Sequence, residues 1–442
     1  MRTLGMTQSV CPQCRSLIPA KVEAENDSVF FRKFCPQHGE GRSFVRRGLD
    51  EYLSAHRYVK PAWQPREFAG DDAKPCPEGC GFCSRHEQHL CMPIIEITSR
   101  CNMACPVCIV DAGRCWDMSV NQFSTVLDGL LQAEGQVDVL NLSGGEPLIH
   151  PAIMDIVDTA ANREGIVRVS ISTNGRELLK RPDLLQSLAQ RDVVISLQFD
   201  GFDDEAYKLL RNEPLVTEKR EILAALEQAN ISTSLTMTLA GGINEAELPA
   251  VVEYLFGHDH VVSLMIQPMA FAGRGARMVG QAERLTIPDV IRLLDGCGHP
   301  AVRDGDFVPL PCSHPLCFSL GFYLRLNDGG TVSVGRMLDT PKLLDSIANR
   351  GLFGLDGQEF DRLREMVYEL WSGPAGSAPD TEAVMETLSG ILREISDGYA
   401  CFDPKKAFSL TERRINSIFI HAFQDPDTFD LARVRRCCNA YP

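Results

Sequence analysis

Cys101-Asn-Met-Ala-Cys105-Pro-Val-Cys108 places three thiols on one short stretch. Thiolates are soft ligands, and three on one loop can bind three irons of a [4Fe–4S] cluster. The fourth iron then has no protein ligand. An open coordination position is what a metal needs to bind a substrate or cofactor directly. Downstream, Ser143-Gly144-Gly145-Glu146-Pro147 joins two glycines, which permit close backbone approach, to a carboxylate that can accept hydrogen bonds from an ammonium.

Other cysteine sets differ in kind. Cys76-Pro-Glu-Gly-Cys80-Gly-Phe-Cys83 has the same spacing, and Cys91 follows it. Four thiolates make a closed site, so Cys76, Cys80, Cys83 and Cys91 are assigned to an auxiliary [4Fe–4S] cluster; Zn²⁺ accepts the same four ligands. Near the start, Cys11-Pro-Gln-Cys14 and Cys35-Pro-Gln-His38 form a Cys-x2-Cys…Cys-x2-His pattern. That pattern suits one tetrahedral ion, zinc or iron. Cys312, Cys317, Cys437 and Cys438 are a candidate third cluster assembled from distant pairs, with Cys115 or Cys401 as substitutes for one of the adjacent cysteines.

These ligands need elements to hold them. Short β-branched runs recur at Pro93–Thr98, Val137–Leu142, Ile166–Ile171, Val193–Gln198, Ile231–Leu239 and Val261–Ile266. Amphipathic stretches such as Gln122–Ala133 and Glu245–Phe256 lie between them. The alternation predicts parallel βαβ units, and six units are too few for a closed eight-fold barrel. Both motifs then fall where strands end, the face that carries chemistry in parallel barrels. In the tail, a hairpin is expected around Asn327–Gly330 and a helix over Phe360–Trp371. A further helix after Asp380 has Val384, Leu388, Ile391 and Ile395 on one face.

The expected organisation is a Cys/His module over 1–49, a linker and auxiliary-cluster segment over 50–91, a core barrel over 92–310 and a mixed α+β metal-binding domain over 311–442. The 442 residues are 44% hydrophobic and 23% charged, an ordinary folded composition. A formal charge of −15 argues against nucleic acid as partner, although the first 70 residues hold eleven Lys and Arg against seven Asp and Glu. The 17 cysteines lie in a long chain whose first ten residues lack a signal-peptide core. A reducing cytoplasm, and metal rather than disulfides, is the expectation.

Cys-x3-Cys-x2-Cys after a first strand, with Gly-Gly-Glu-Pro after the second, resembles the radical S-adenosylmethionine (radical SAM) enzymes over about residues 92–300. The layout of the whole chain, including Pro311-Cys-Ser-His-Pro315 and Phe419-Ile-His-Ala-Phe423, further resembles archaeal tetraether lipid synthases and hydropterin methyltransferase-like radical SAM proteins.

The resemblance implies a partial (β/α)6 barrel with an N-terminal rubredoxin- or zinc-ribbon-like module. It implies a cluster on Cys101, Cys105 and Cys108 whose open iron takes SAM. Gly144, Gly145, Glu146 and Pro147 would meet SAM, with Ser172, Asn174, Ser196, Gln198 and Thr238 as further contacts. Val107 stands where the family usually has an aromatic residue. The implied cofactors are SAM, two to three [4Fe–4S] clusters and one mononuclear Fe or Zn. No catalytic residue is expected beyond these sites. The implied reaction is reductive cleavage of SAM to a 5′-deoxyadenosyl radical, then hydrogen abstraction from an sp³ carbon. The leading expectation is C–C bond formation on lipid alkyl chains, a transferase- or lyase-like activity that needs a long apolar channel and contact with the inner membrane surface. The alternative is one-carbon transfer to a pterin-like molecule; a non-catalytic electron carrier ranks third. A ferredoxin or flavodoxin is the expected electron donor.

Overall fold

A computed structural model describes residues 1–68, 70, 73–74, 83–110, 115–338, 340–350, 381–397, 405 and 412–439. Cys76, Cys80, Cys401, Asp380 and the helix expected over Phe360–Trp371 lie outside the described residues.

The first four strands are β1 (Arg2–Val10), β2 (Leu17–Glu25), β3 (Ser28–Cys35) and β4 (Gly39–Arg47), paired antiparallel in chain order. In such a meander the β1–β2 and β3–β4 turns fall at the same end. These two turns carry Cys11/Cys14 and Cys35/His38. The ribbon docks on the end of the chain. Ser9 Oγ donates to the Phe429 carbonyl at 2.5 Å, and Lys33 Nζ donates to those of Pro426 and Asp427 at 2.9 and 2.8 Å. Burial lowers the Lys33 pKa to about 8.

The main sheet contains β5 (Ile94–Thr98), β6 (Val137–Gly144), β7 (Ile166–Thr173), β8 (Val194–Gln198), β9 (Thr233–Leu239) and β10 (Val261–Pro268) as parallel neighbours in that order. The six expected strands are present, and β6, β7 and β10 each run two residues further at their C-terminal ends. The sheet continues through β14 (Ile415–His421), which pairs parallel with β10. Antiparallel β12 (Phe318–Arg325) follows, then β11 (Val308–Pro309), with β13 (Thr331–Ser333) beside β12 as the expected hairpin. β5 and β11 are the two edges, so the sheet is an open, partial barrel.

The period of two along each strand decides what faces where. Leu140 and Leu142, Val169 and Ile171, Ile195 and Leu197, and Leu264 and Ile266 are buried under the helices. Truncating one such side chain to Ala costs about 2–5 kcal/mol. The alternate positions line a lumen: Asn141, Ser170, Ser172, Ser196, Gln198, Ser234, Thr236, Thr238, Ser263 and Ser417. The helix Val120–Glu134, which returns the chain from the cysteine loop, starts with a capping box: Ser119 accepts from Gln122 N at 3.3 Å, and Gln122 accepts from Ser119 N at 2.9 Å. In the tail, Val384, Leu388 and Ile391 of Thr381–Asp397 are buried, as their spacing implied. No helix among the described residues is long and apolar enough to cross a membrane.

Candidate functional site

The lumen is a cavity of about 390 Å³. Cys101, Cys105 and Cys108 line it at the C-terminal end of the strands, together with Gly144, Gly145, Glu146, Ser172, Asn174, Ser196, Gln198 and Thr238. The expected contacts therefore converge on one cavity, except Pro147, which is buried behind it at the start of a short turn of helix. Burial pushes the Cys101 thiol pKa up.

The glycines have a steric reason. Gly145 N and Glu146 N donate to the carbonyls of Thr98 and Arg100, at 2.8 and 2.7 Å. A Cβ on Gly144 would collide with the Thr98 carbonyl oxygen, and one on Gly145 with that of Arg100. Gly144 also has φ +122°, a region side chains disfavour. The pair thus fixes the root of the cysteine loop against the end of β6.

Glu146 is buried, and its carboxylate is already engaged. Oε1 accepts from Leu148 N at 3.1 Å and from Thr173 Oγ1 at 2.6 Å; Oε2 accepts from Asn174 N at 2.8 Å. Burial pushes its pKa up against these donors. A carboxylate has about four acceptor directions, so one remains for a ligand. Its first task here is to tie the end of β6 to the end of β7. Asn174 in turn donates through Nδ2 to Asn102 Oδ1 at 2.7 Å, which orients the cysteine loop. Ser196 and Thr236 share a hydrogen bond of 2.9 Å. Gln198 Nε2 donates to Asp200 at 2.5 Å, and Gln198 Oε1 is a buried acceptor without a partner.

Four charged residues beside the site gave no motif. Arg211 makes a two-point contact with the fully buried Asp200, at 2.6 and 2.9 Å, and donates to Thr238 Oγ1 at 2.9 Å. Burial opposes its charge, but Asp200 and then Cys105 outweigh burial and hold the guanidinium protonated. Arg274 is held charged chiefly by its hydrogen bond with Cys108, so a cation flanks each of these two thiols. Lys219 donates to the Asn174 carbonyl at 2.7 Å, and burial lowers its pKa to about 7. Only Asp200, just past the end of β8, stood where a strand-end reading would search. Val107 packs in an apolar cluster with Met269 and Phe271.

The ribbon is the second metal-competent place. Sγ of Cys11, Cys14 and Cys35 and a ring nitrogen of His38 all lie within 4.8 Å of one another. His38 Nδ1 is 3.5 Å from both Cys11 and Cys35. The Ser16 hydroxyl is the largest influence lowering the Cys14 pKa to about 6.

The remaining cysteines regroup. Among the described residues, the thiols that interact with Cys91 are those of Cys312 and Cys438, and they are the main cause of its raised pKa. Cys83 is buried, and nothing described joins it to Cys91. The grouping follows from topology: Cys91 precedes edge strand β5, Cys312 precedes β12, and the Cys438 carbonyl accepts from Met92 N at 3.2 Å. Cys317 accepts from Arg433 Nε at 3.3 Å, whereas Cys437 turns to the Asn439 carbonyl at 3.1 Å. Cys115 is exposed. Met92 and Asn439 line the lumen, so this group borders the cavity.

Residues 95–255 match the radical SAM superfamily. The chain carries a radical SAM domain. Residues 3–47 match the HMPTM N-terminal zinc ribbon domain. The chain is 25% identical to the 7,8-dihydro-6-hydroxymethylpterin dimethyltransferase of Methanocaldococcus jannaschii, over 98% of this chain and 90% of that protein. It is 32% identical to the GTP 3′,8-cyclase of Chlorobaculum tepidum, over 39% of this chain and 53% of that one. A radical SAM methyltransferase structure from Sphaerobacter thermophilus overlaps with a TM-score of 0.36 at 14% identity, covering 69% of this chain and 77% of that one. The radical SAM domain is built on the parallel strands, with the ribbon as its N-terminal module.

Proposed function

We propose that this radical SAM enzyme transfers a one-carbon unit to a pterin-like heterocycle. The observation that carries the reading is similarity to a hydroxymethylpterin dimethyltransferase along nearly the whole of both chains, ribbon included. The lumen supports it physically. Hydroxyl and amide side chains stand at regular intervals on the strands that face the cavity, such as Ser170, Ser196, Ser234 and Thr236, between apolar wall residues such as Val139, Val194 and Met265, a mixed lining that suits a flat polar heterocycle. The expectation of lipid as substrate therefore gives way to the pterin alternative.

The residues present fit the implied cofactors. Three thiols face one cavity with no fourth described cysteine beside them, and Gln198 Oε1 awaits a donor there. Cys101, Cys105 and Cys108 would hold the cluster, and Gly144–Glu146 with Ser172, Asn174, Ser196, Gln198 and Thr238 would contact SAM. When bound, cluster and SAM together supply the power to remove hydrogen from an unactivated carbon, chemistry that belongs to cofactors rather than side chains. Arg211 and Arg274 balance thiolate charge, and the Asp200–Arg211 pair fixes Thr238 and Gln198 on the wall. The ribbon ligands Cys11, Cys14, Cys35 and His38 would hold one ion with a structural task. Cys91, Cys312 and Cys438 are proposed as the nucleus of an auxiliary metal site.

The test is anaerobic incubation of reduced protein with SAM and 7,8-dihydro-6-hydroxymethylpterin, with cell extract as source of other one-carbon donors, followed by mass spectrometry. A pterin product heavier by a methylene unit is expected. Cleavage of SAM with the pterin unchanged, and chain-joined products when membrane lipid is added, would overturn the proposal.

A further inference from the structure

The floor of the lumen carries a charged group that neither cofactor uses. Arg168 lies near the start of β7, Ser232 just before β9 and Glu412 just before β14, so all three sit at the N-terminal ends of parallel strands. Five residues separate Arg168 from Thr173 at the upper end of β7, or roughly 16 Å of extended strand. Glu412 and Arg168 both line the cavity. Arg168 Nη2 donates to Glu412 Oε1 at 2.6 Å, and the Ser232 hydroxyl donates to the same oxygen. Arg168 also pairs with Asp192. Glu412 is 8% exposed, and its second oxygen, Oε2, is buried without a hydrogen-bond partner.

A buried carboxylate oxygen left unpaired is costly, and in a native structure it calls for a missing donor. Arg168 and Ser232 hold the other oxygen, and Glu412 lines the cavity, so a ligand seated there can supply the donor. We infer that Glu412 is the specificity residue for the heterocycle and accepts hydrogen bonds from the pyrimidinone edge of a pterin. That edge presents a ring N–H beside a 2-amino group, two adjacent donors that match a carboxylate acceptor. A flat bicycle standing on this edge turns its carbon-bearing end up the lumen toward Cys101, Cys105 and Cys108. The hydroxyls of Ser170, Ser234 and Thr236, each below a position assigned to SAM on its own strand, then flank its faces and ring nitrogens. Arg168 and Ser232 act as positioning residues that fix the carboxylate.

This inference rests on the pterin reading of the lumen but can fail separately from it. Binding of 6-hydroxymethylpterin and of 6-hydroxymethyllumazine, its 2-oxo counterpart, would be followed by fluorescence on the full chain under anaerobic conditions. The lumazine sets a carbonyl oxygen against Glu412, so the wild-type protein should prefer the pterin by about tenfold or more, the worth of one charge-assisted hydrogen bond. Glu412→Gln should erase that preference, because its amide can donate to the carbonyl; Glu412→Asp should keep the preference with weaker binding. If the wild-type protein methylates the pterin yet binds both compounds equally, the inference falls and the function stands. If Glu412→Gln weakens both compounds alike, Glu412 is merely structural. If the wild-type protein binds neither compound, both the function and the inference fall. The wild-type comparison needs no variant, so it holds even if a substitution prevents folding.

Discussion

The ribbon and the cysteine loop use the same side chain for opposite ends. In the ribbon, two hairpin turns at one end of a four-stranded sheet bring three thiols and an imidazole within 4.8 Å of one another, a complete tetrahedral set. In the radical SAM domain, Cys101, Cys105 and Cys108 share one loop over a cavity, and no fourth described cysteine joins them. A closed set leaves its ion no position for a substrate, whereas an open set leaves a metal position for a ligand. The surroundings agree. The ribbon turn is small and built from short-range contacts, while the loop is braced by Gly144, Gly145, Glu146 and Asn174 and flanked by two guanidiniums.

The largest effect should come from Cys105→Ser. It should bring SAM cleavage to background and remove the iron of one cluster, while metal bound at the ribbon persists; anaerobic metal analysis beside an assay for 5′-deoxyadenosine checks this. Cys35→Ser is the converse. It should release the ribbon metal yet leave SAM cleavage within about threefold, since sites without shared partners behave independently. A collapse of cleavage would instead make the ribbon ion an electron carrier.

Glu146→Gln sharpens the bracing argument. It weakens acceptance from three donors at once and should lower unfolding free energy by about 2–3 kcal/mol, with weaker SAM binding, read by denaturant titration and equilibrium dialysis. A loss of SAM affinity without loss of stability would make Glu146 a ligand contact first.

A pH-dependent control, its effect absent at neutral pH and growing only on acidification, lies outside the ribbon and the cysteine loop. His260 is buried, both ring nitrogens lack hydrogen-bond partners, Nδ1 stands 3.8 Å from Glu227, and burial lowers its pKa from 6.5 to about 4, with Glu227 opposing. The unfolded chain takes up the proton first as pH falls. The stability this neutral ring contributes is therefore complete above 6.5 and lost on descent toward about 4, at most about 3 kcal/mol. His260→Gln should flatten the decline in urea midpoint between neutral and mildly acid pH.

Much of this was legible in the sequence because local rules governed it. The six parallel strands follow from β-branched runs, and the two cysteine motifs from spacing at strand ends. The hydroxyls of Ser172 and Ser196 were readable as wall positions, since each follows an apolar residue turned the other way. Contacts distant in the chain were not legible. Spacing places Cys91 with Cys76, Cys80 and Cys83, of which Cys76 and Cys80 lie outside the described residues; its described thiol partners, Cys312 and Cys438, are brought over by the tail. β14 completes the parallel set from more than 140 residues beyond β10. Arg211 stands on an ordinary charged helix, and nothing in its sequence neighbours marks the buried Asp200 it meets.

The central claim is that the open three-thiol loop and the lumen below it serve one reaction on a pterin-like ring. The most direct measurement supplies reduced protein and SAM with either the dihydropterin or a membrane lipid extract, and compares the rate of 5′-deoxyadenosine release. The account predicts that the pterin alone accelerates release and leaves carrying an added carbon. Acceleration by the lipid extract alone would contradict it.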